Sequence, residues 1–446
     1  MPEHDAIRTY LETVGEQIRW SRARRVVLPE LQKHLEDQRD AFAAEGLEDP
    51  EQAAVEEMGD PVSVGTELDR IHRPRPQWGL LTLTIAIALC GAVLRVWLTA
   101  DWADTYQNID PLRTALALGL GCGALLAGYF LDISFLGHYA RAIYVGALAA
   151  AIGGCLVSPR VAGVAFYARY VVLCFPVIYA CWLYHCRGRG WRGLVLAVSG
   201  GFPLAALCCV IPYGFALVQL LLTGFLLLVM ACWKDWFGIG RWKSVLGFLG
   251  CAGAAAGAVG YLIFQPLARR LTLVLHPERD PLGMGYYGLS IRRVLDVSQW
   301  WGQGTWDGPY PYEMTVQGCD SDNLLTTLIY RLGWLPALLA ILALAILVGW
   351  LVCRSLRLRG QLGYFLVSTV AMMLGIQAIF SIAWNLGFTL QSAFFPLLIG
   401  NVCTVIDMGF IGLALSAFRG DSILRDQAGK AEYRPRYRIR VSIQKL

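Results

Sequence analysis

The chain has 446 residues, of which 56% are hydrophobic and only 16% charged, with a formal net charge of +5. That composition is too apolar for a soluble protein of this length, and the absence of a basic stripe interleaved with aromatics on a soluble element excludes nucleic acid as a partner. The charge is also uneven: up to Gln77 there are 10 Lys/Arg and 17 Asp/Glu, which leaves 28 and 16 for the rest, so an acidic head precedes a basic, apolar body.

The head, residues 1–72, reads as a small all-helical unit. Ile7 to Trp20 and Val26 to Ala43 carry apolar residues at helical spacing, with Leu28, Leu31 and Leu35 on one face. Gly46 ends the second helix, Asp49-Pro50 supplies an N-cap and a first-turn proline for a third, and Met58-Gly-Asp-Pro61 separates that helix from a last one over Val62 to Ile71. The acidic residues here have no catalytic spacing and read as a solvated surface. Arg73-Pro-Arg-Pro76 makes residues 73–77 a stiff linker.

From Trp78 the chain becomes a series of apolar stretches, each long enough to cross a bilayer. Ten helices are predicted near 78–99, 112–132, 139–157, 164–185, 191–210, 212–232, 244–265, 323–352, 363–387 and 392–417. The first begins after a long charged segment, so no cleavable signal peptide is expected. Basic loops alternate with loops poor in Lys/Arg. Arg141, the run Cys186 to Arg192, Lys234 to Lys243, Arg354 to Arg359 and the tail 419–446 fall on one side. Asp101 to Asp110, Ser158 to Gly163, Ile211 to Gly214 and Phe388 to Gln391 fall on the other. The positive-inside rule then places both termini in the cytoplasm, and an odd number of spans would separate Arg354 from Arg419. The fold class expected is an all-α polytopic membrane protein with a small N-terminal helical cytoplasmic domain.

Residues 265–321 form a large loop on the outer side, an exception to the alternation because it holds Arg269, Arg270, Arg279, Arg292 and Arg293, although long loops obey the rule poorly; such loops in compact bundles usually carry function. Within it, Leu289 to Trp301 has the pattern of a short amphipathic helix with Trp300 and Trp301 at headgroup level. Most of the 13 cysteines fall inside apolar spans, so no disulfide framework is expected, and no His/Cys group has metal-ligand spacing. Charged residues inside the spans (Arg95, Arg169, Arg331, Asp407) need a partner or a cavity. Internal pairing, with Asp407 as the acid, and a polar groove for a lipid headgroup both satisfy that need.

The last third carries a pattern beyond hydropathy. Asp320-Ser-Asp-Asn-Leu-Leu-Thr-Thr-Leu-Ile-Tyr-Arg-Leu-Gly-Trp334 resembles the His-Thr-Asp-Phe-Ile-Phe…Glu-Glu-Leu-Gly-Phe motif of the SEDS family, the FtsW/RodA/SpoVE-type proteins of bacterial division, elongation and sporulation. Gly285-Tyr-Tyr287 with Gly302-Gln-Gly304 is similar to that family's Tyr-Gln…Gly-Gly-x-x-Gly-x-Gly loop. Gln391 to Gly400 and Met408 to Ser416 resemble its closing Leu-Pro-Phe…Gly segment and last helix, and Ile211-Pro-Tyr-Gly214 sits where the family has Gln-Pro-Asp-Leu-Gly. The resemblance spans residues 78–418, and ten spans with a large loop between the seventh and eighth is the family architecture. Tyr330-Arg331 replaces the family's Glu-Glu, its Gln-Pro-Ser-Glu…Lys run has no counterpart near Ala165 to Pro176, and Ile399 to Cys403 replaces its Ser-Tyr-Gly-Gly-Ser. The head loosely resembles helical prefix domains found before permeases of Gram-positive bacteria.

The resemblance implies a multi-pass protein of the bacterial plasma membrane that polymerises peptidoglycan glycan strands from lipid II, with no cofactor or metal. Its partner would be a class B penicillin-binding protein. Displacing undecaprenyl pyrophosphate by a sugar hydroxyl needs a base and cations for the leaving group. Asp322 takes the family's acidic position and is the implied catalytic residue, although from the residues alone it reads first as a helix cap. Arg331, about 13 Å along the helix from it, Arg292, Arg293 and Arg169, with Gly302 and Gly304, are the candidates for substrate binding. Two other readings stay open: a non-catalytic relative that binds a lipid-linked precursor or scaffolds a synthase, and a regulated transporter or flippase.

Overall fold

The computed structural model describes residues 6–74, 76–98, 111–161, 163–308, 310–316, 318–319, 321–398 and 402–421. The predicted 101–110 loop, Asp320, Gly400, Asn401 and the tail from 422 onward lie outside the described residues, as do the side chains of 254–267.

The head folds as four helices, α1 (Ala6–Gln17), α2 (Ser21–Ala44), α3 (Pro50–Met58) and α4 (Pro61–His72). Local chemistry sets the starts of the last two. The Asp49 carboxylate accepts from the Gln52 N–H and the Asp60 carboxylate from the Ser63 N–H, each followed by a proline that needs no N–H partner in the first turn. Ile7, Val14, Ile18, Ala23, Leu35 and Ala54 close a core of their own. The head is tied to the body by Arg22, whose guanidinium pairs with Asp132, the residue that also caps the short helix after the second span by accepting from the Ser134 N–H.

The body is built from α5 (Trp78–Leu98), α6 (Pro111–Phe130), the short α7 (Ile133–His138), α8 (Ala140–Val157), α9 (Ala168–Leu173), α10 (Phe175–His185), α11 (Gly190–Ser199), α12 (Gly201–Val210), α13 (Gly214–Trp233), α14 (Arg241–Leu275), α15 (Tyr286–Asp296), α16 (Tyr312–Thr315), α17 (Leu324–Leu332), α18 (Trp334–Ser355), α19 (Gln361–Asn385) and α20 (Val402–Gly420). A two-residue antiparallel pair, β1 (Arg160–Val161) with β2 (Val164–Ala165), turns the chain between α8 and α9. Among the described residues eight helical segments are long and apolar enough to cross a membrane, with α11 and α12 counting as one. The pair α9–α10 and the helix α14 occupy the other two predicted spans. The chain is an all-α polytopic membrane protein.

Helix α19 is central: 72% of its apolar window is buried, against 17% for α8 at the rim. Helices α6 and α20 approach closely because glycines face each other. A Cβ on Gly128 would lie 2.6 Å from the Gly409 carbonyl oxygen, and one on Gly412 would lie 2.3 Å from the Leu125 carbonyl oxygen. Lipid tails are as apolar as leucine, so such backbone-to-backbone packing is what holds membrane helices together.

Four predicted spans differ in shape from expectation. The fourth is broken between Leu173 and Phe175, just before Pro176, which offers no N–H and crowds the preceding turn. The seventh runs ten residues past Gln265 to Leu275, and its C-terminal end is met by Arg292, whose Nη2 donates to the Val274 carbonyl at 3.3 Å. The eighth is two helices, because Gly333 at φ 99° ends α17 and starts α18. The tenth starts at Val402, ten residues later than predicted. The residues before it run irregularly, with Leu397 buried at φ 63° and Leu398 so close to α5 that a Cβ on Gly91 would sit 2.5 Å from its Cα. Irregular backbone at this depth survives only where protein covers it.

Candidate functional site

The basic loops gather at one end of the bundle and the broken elements at the other. At the second end the 265–321 loop is a folded unit. Ile291, Val294, Tyr312, Val316, Cys319 and Tyr330 form its small core, with Tyr312 and Tyr330 stacked 4.2 Å apart. The segment Gln299 to Gly304 runs along the break between α17 and α18. Gly302 N–H donates to the Leu332 carbonyl, Gly304 N–H to the Tyr330 carbonyl, and the Gln299 and Trp300 carbonyls accept from Trp334 and Leu335. Trp300 and Trp301 stay largely exposed, at 73% and 70%.

Asp322 stands in the turn that enters α17 and is half-buried. Its position is fixed through its backbone: Asn385, the last residue of α19 and fully buried, donates from Nδ2 to the Asp322 carbonyl at 2.9 Å. The Asn385 Oδ1 accepts from the Thr326 N–H at 2.8 Å and from the Thr326 hydroxyl at 2.9 Å. Asn385 therefore serves a first-turn N–H of α17 from outside the helix. The residue at the N-cap position is Asn323, whose Oδ1 accepts from the Trp384 indole at 2.9 Å. Neither Asn385, Asn323 nor Trp384 stood out in the sequence. A polar pair closing an apolar 25-residue helix was the available signal.

Tyr213, in the connection between α12 and α13, reports what surrounds Asp322. Burial pushes its phenol well above the ordinary tyrosine value; the Cys403 thiol and the Asp322 carboxylate add to the rise, and Arg169 opposes it. Asp322 and Arg169, both singled out in the sequence, thus act on one buried tyrosine. Arg169 lies at the start of α9, stacked over the rings of Phe166 and Tyr170 at 4.4 and 4.7 Å, and its Nη2 donates to the Tyr170 hydroxyl at 2.6 Å. Its Nε is buried and has no hydrogen-bond partner among the described residues.

The other predicted binding residues are more dispersed. Arg292 on α15 is half-buried, stacked 5.4 Å from the Phe388 ring, with its stem against Gly387. Arg293, next to it, is exposed. The expectation that Arg331 lies deep in the eighth span is corrected: it ends the half-helix α17, ahead of the span, and its Nε donates to the Tyr312 hydroxyl at 3.0 Å. Gly302 and Gly304 contribute backbone bonds at the α17–α18 break. Asp407 is the acid that does sit inside a span, and no arginine pairs with it among the described residues. Gln377 donates to it at 3.3 Å, and the Leu397 backbone N–H also bonds it. Its role is to satisfy the irregular backbone before α20. A cavity of about 10 Å³, lined by Tyr213, Gln219, Gln377, Cys403 and Asp407, has room for one water.

No protein-family model matches the sequence, and no curated protein sequence matches it. Solved structures do match. The chain in a structure described as "Structural coordination of polymerization and crosslinking by a peptidoglycan synthase complex" aligns at a TM-score of 0.59 and 18% identity, covering 77% of this chain and 98% of that one. The chain shares its fold with RodA. The rod shape determining protein RodA of Thermus thermophilus aligns at a TM-score of 0.51 and 15% identity, over 78% of this chain and 97% of RodA, and a mutant of it aligns at 0.50 and 14%. The match thus takes in nearly the whole of RodA and leaves uncovered about as much of this chain as the head and tail comprise.

Proposed function

We propose that this protein is a SEDS-type peptidoglycan glycosyltransferase that polymerises lipid II at the outer face of a bacterial plasma membrane, with its basic end and both termini in the cytoplasm. The observation that carries this reading is Asp322. Its half-buried side chain stands at the end of a RodA-like bundle opposite the basic loops; Asn385 holds its backbone carbonyl, and its charge reaches the same buried tyrosine as that of Arg169.

In this role Asp322 takes the proton of the attacking sugar hydroxyl as its oxygen bonds to the anomeric carbon of the donor. The bond from that carbon to the pyrophosphate oxygen breaks, and the pyrophosphate leaves with the electron pair. Arg169, with a buried Nε lacking a partner among the described residues, and Arg292 supply cationic donors for the leaving group. Arg293, Arg331, Gly302 and Gly304 shape the rim around it. The chain matched in the peptidoglycan synthase complex makes a class B penicillin-binding protein the expected partner, packed against the bundle.

The replacement of the family's Glu-Glu by Tyr330-Arg331 favours one competing reading, a non-catalytic relative that binds the precursor. Polymerisation of fluorescent lipid II by the purified protein, with and without a candidate transpeptidase, separates the two. Glycan strands that vanish in Asp322→Asn establish the polymerase. Lipid II binding with no product under any condition establishes the binding protein.

A further inference from the structure

At the basic end a cavity of about 640 Å³ opens on the seam between head and body. Six arginines line it: Arg70 and Arg73 from the end of α4 and its cap, Arg354, Arg357 and Arg359 from the α18–α19 turn, and Arg419 from the last turn of α20. Asp421 is its one carboxylate, and that group is already engaged, with Oδ1 accepting from the backbone N–H groups of Arg359 and Gly360. Arg73, Arg354, Arg357 and Arg359 form no ion pair among the described residues, whereas Arg70 reaches the exposed Glu67 at 3.2 Å. Three helix C-termini converge here, each worth about half a negative charge. Even with those and Asp421 counted, roughly three positive charges are left facing one space.

A concentration of like charge of this size attracts anions, and guanidinium groups match the oxygens of a phosphate. We propose that this cavity is a binding site for a phosphate-bearing anion, with the headgroup of an anionic phospholipid as the source that fits its surroundings. Ile71, Leu358 and Phe418 line the same cavity and offer an apolar wall, and Ile71 is 52% exposed. Gln77 also lines it, directly before Trp78, which begins the first span and is 66% exposed, as an interfacial tryptophan would be. The site therefore lies at headgroup height, at the end of the bundle that the positive-inside rule turns toward the anionic cytoplasmic leaflet. It needs the head, because Arg70, Ile71 and Arg73 come from it. A bound lipid would hold the head against the body at a point distinct from the Arg22–Asp132 pair.

The test uses the full-length protein in detergent, titrated with dioctanoyl phosphatidylglycerol and followed by thermal unfolding and tryptophan fluorescence. Dioctanoyl phosphatidylcholine is the neutral control and inorganic phosphate the soluble one. The wild type should bind phosphatidylglycerol, and Arg357→Gln/Arg359→Gln should weaken that binding by about thirtyfold. The unliganded melting temperature should not change, since both side chains are exposed and form no ion pair among the described residues. If the double variant does not unfold cooperatively, Arg73→Gln replaces it, with a loss of about fivefold expected. An equal response to inorganic phosphate assigns the site to a free phosphate and keeps its chemistry. Equal binding of phosphatidylcholine, or unchanged affinity in the folded variants, overturns the proposal.

Discussion

The two ends of the bundle hold their charges in opposite ways. Around Asp322 the charged groups are half-buried and few, and their positions are set by backbone: a helix that stops at Gly333, a loop that bonds across the stop, and an asparagine on a third helix. At the other end arginines stand on helix termini and turns, mostly exposed, and among the described residues only Arg70 of the six pairs with a carboxylate. The first arrangement fixes one geometry before any substrate arrives. The second fixes only a potential and leaves the side chains to adapt, which suits recognition of a headgroup but not positioning of a reacting atom.

Mutations should divide along the same line. Asp322→Asn keeps size and packing, so polymerisation should fall by about a hundredfold or more while the melting temperature holds; gel analysis of lipid II products with parallel thermal unfolding checks both. Asn385→Ala should affect fold and activity together. It strips acceptors from the Thr326 N–H and hydroxyl and a donor from Asp322, at a cost of about 3 kcal/mol read by unfolding in detergent. Equal stability in that variant would show that α17 is held by the loop alone. Gly304→Ala tests the loop directly. The new methyl would meet the Val297 carbonyl at 2.6 Å and the Tyr330 ring at 2.9 Å, and about 2 kcal/mol of destabilisation is expected in the same assay. Arg22→Ala, at the other end, should cost about 1 kcal/mol, since Arg22 is largely buried while Asp132 stays half exposed. It should show instead as faster amide exchange where α2 meets the body, with polymerisation unaltered.

Sequence alone went far with the spans, because lipid demands long apolar runs wherever the chain crosses. The head helices were equally legible, since Asp49-Pro50 announces one start and Met58 to Pro61 one break; that Asp60-Pro61 also starts the last helix was seen only in the structure. The breaks were not. Leu324 to Leu332 and the 386–398 segment remain apolar because protein rather than lipid surrounds them, and hydropathy does not distinguish the two. For that reason Arg331 was placed too deep, and the start of α20 ten residues too early. Asp322 was singled out through its motif, whereas the residue that holds its backbone was missed: Asn385 lies 63 residues away in sequence, and only the fold brings it to the carbonyl it holds.

Helix α19 links these observations mechanically. Its 25 residues make a rod of roughly 37 Å, buried along most of its length. One tip is Asn385, gripping the turn that carries Asp322; at the other, Asp421 clasps the Gly360 N–H beside the arginine cavity. A close-packed rod transmits displacement with little loss. The turn that carries Asp322 and the wall of the arginine cavity are thus opposite ends of a single strut.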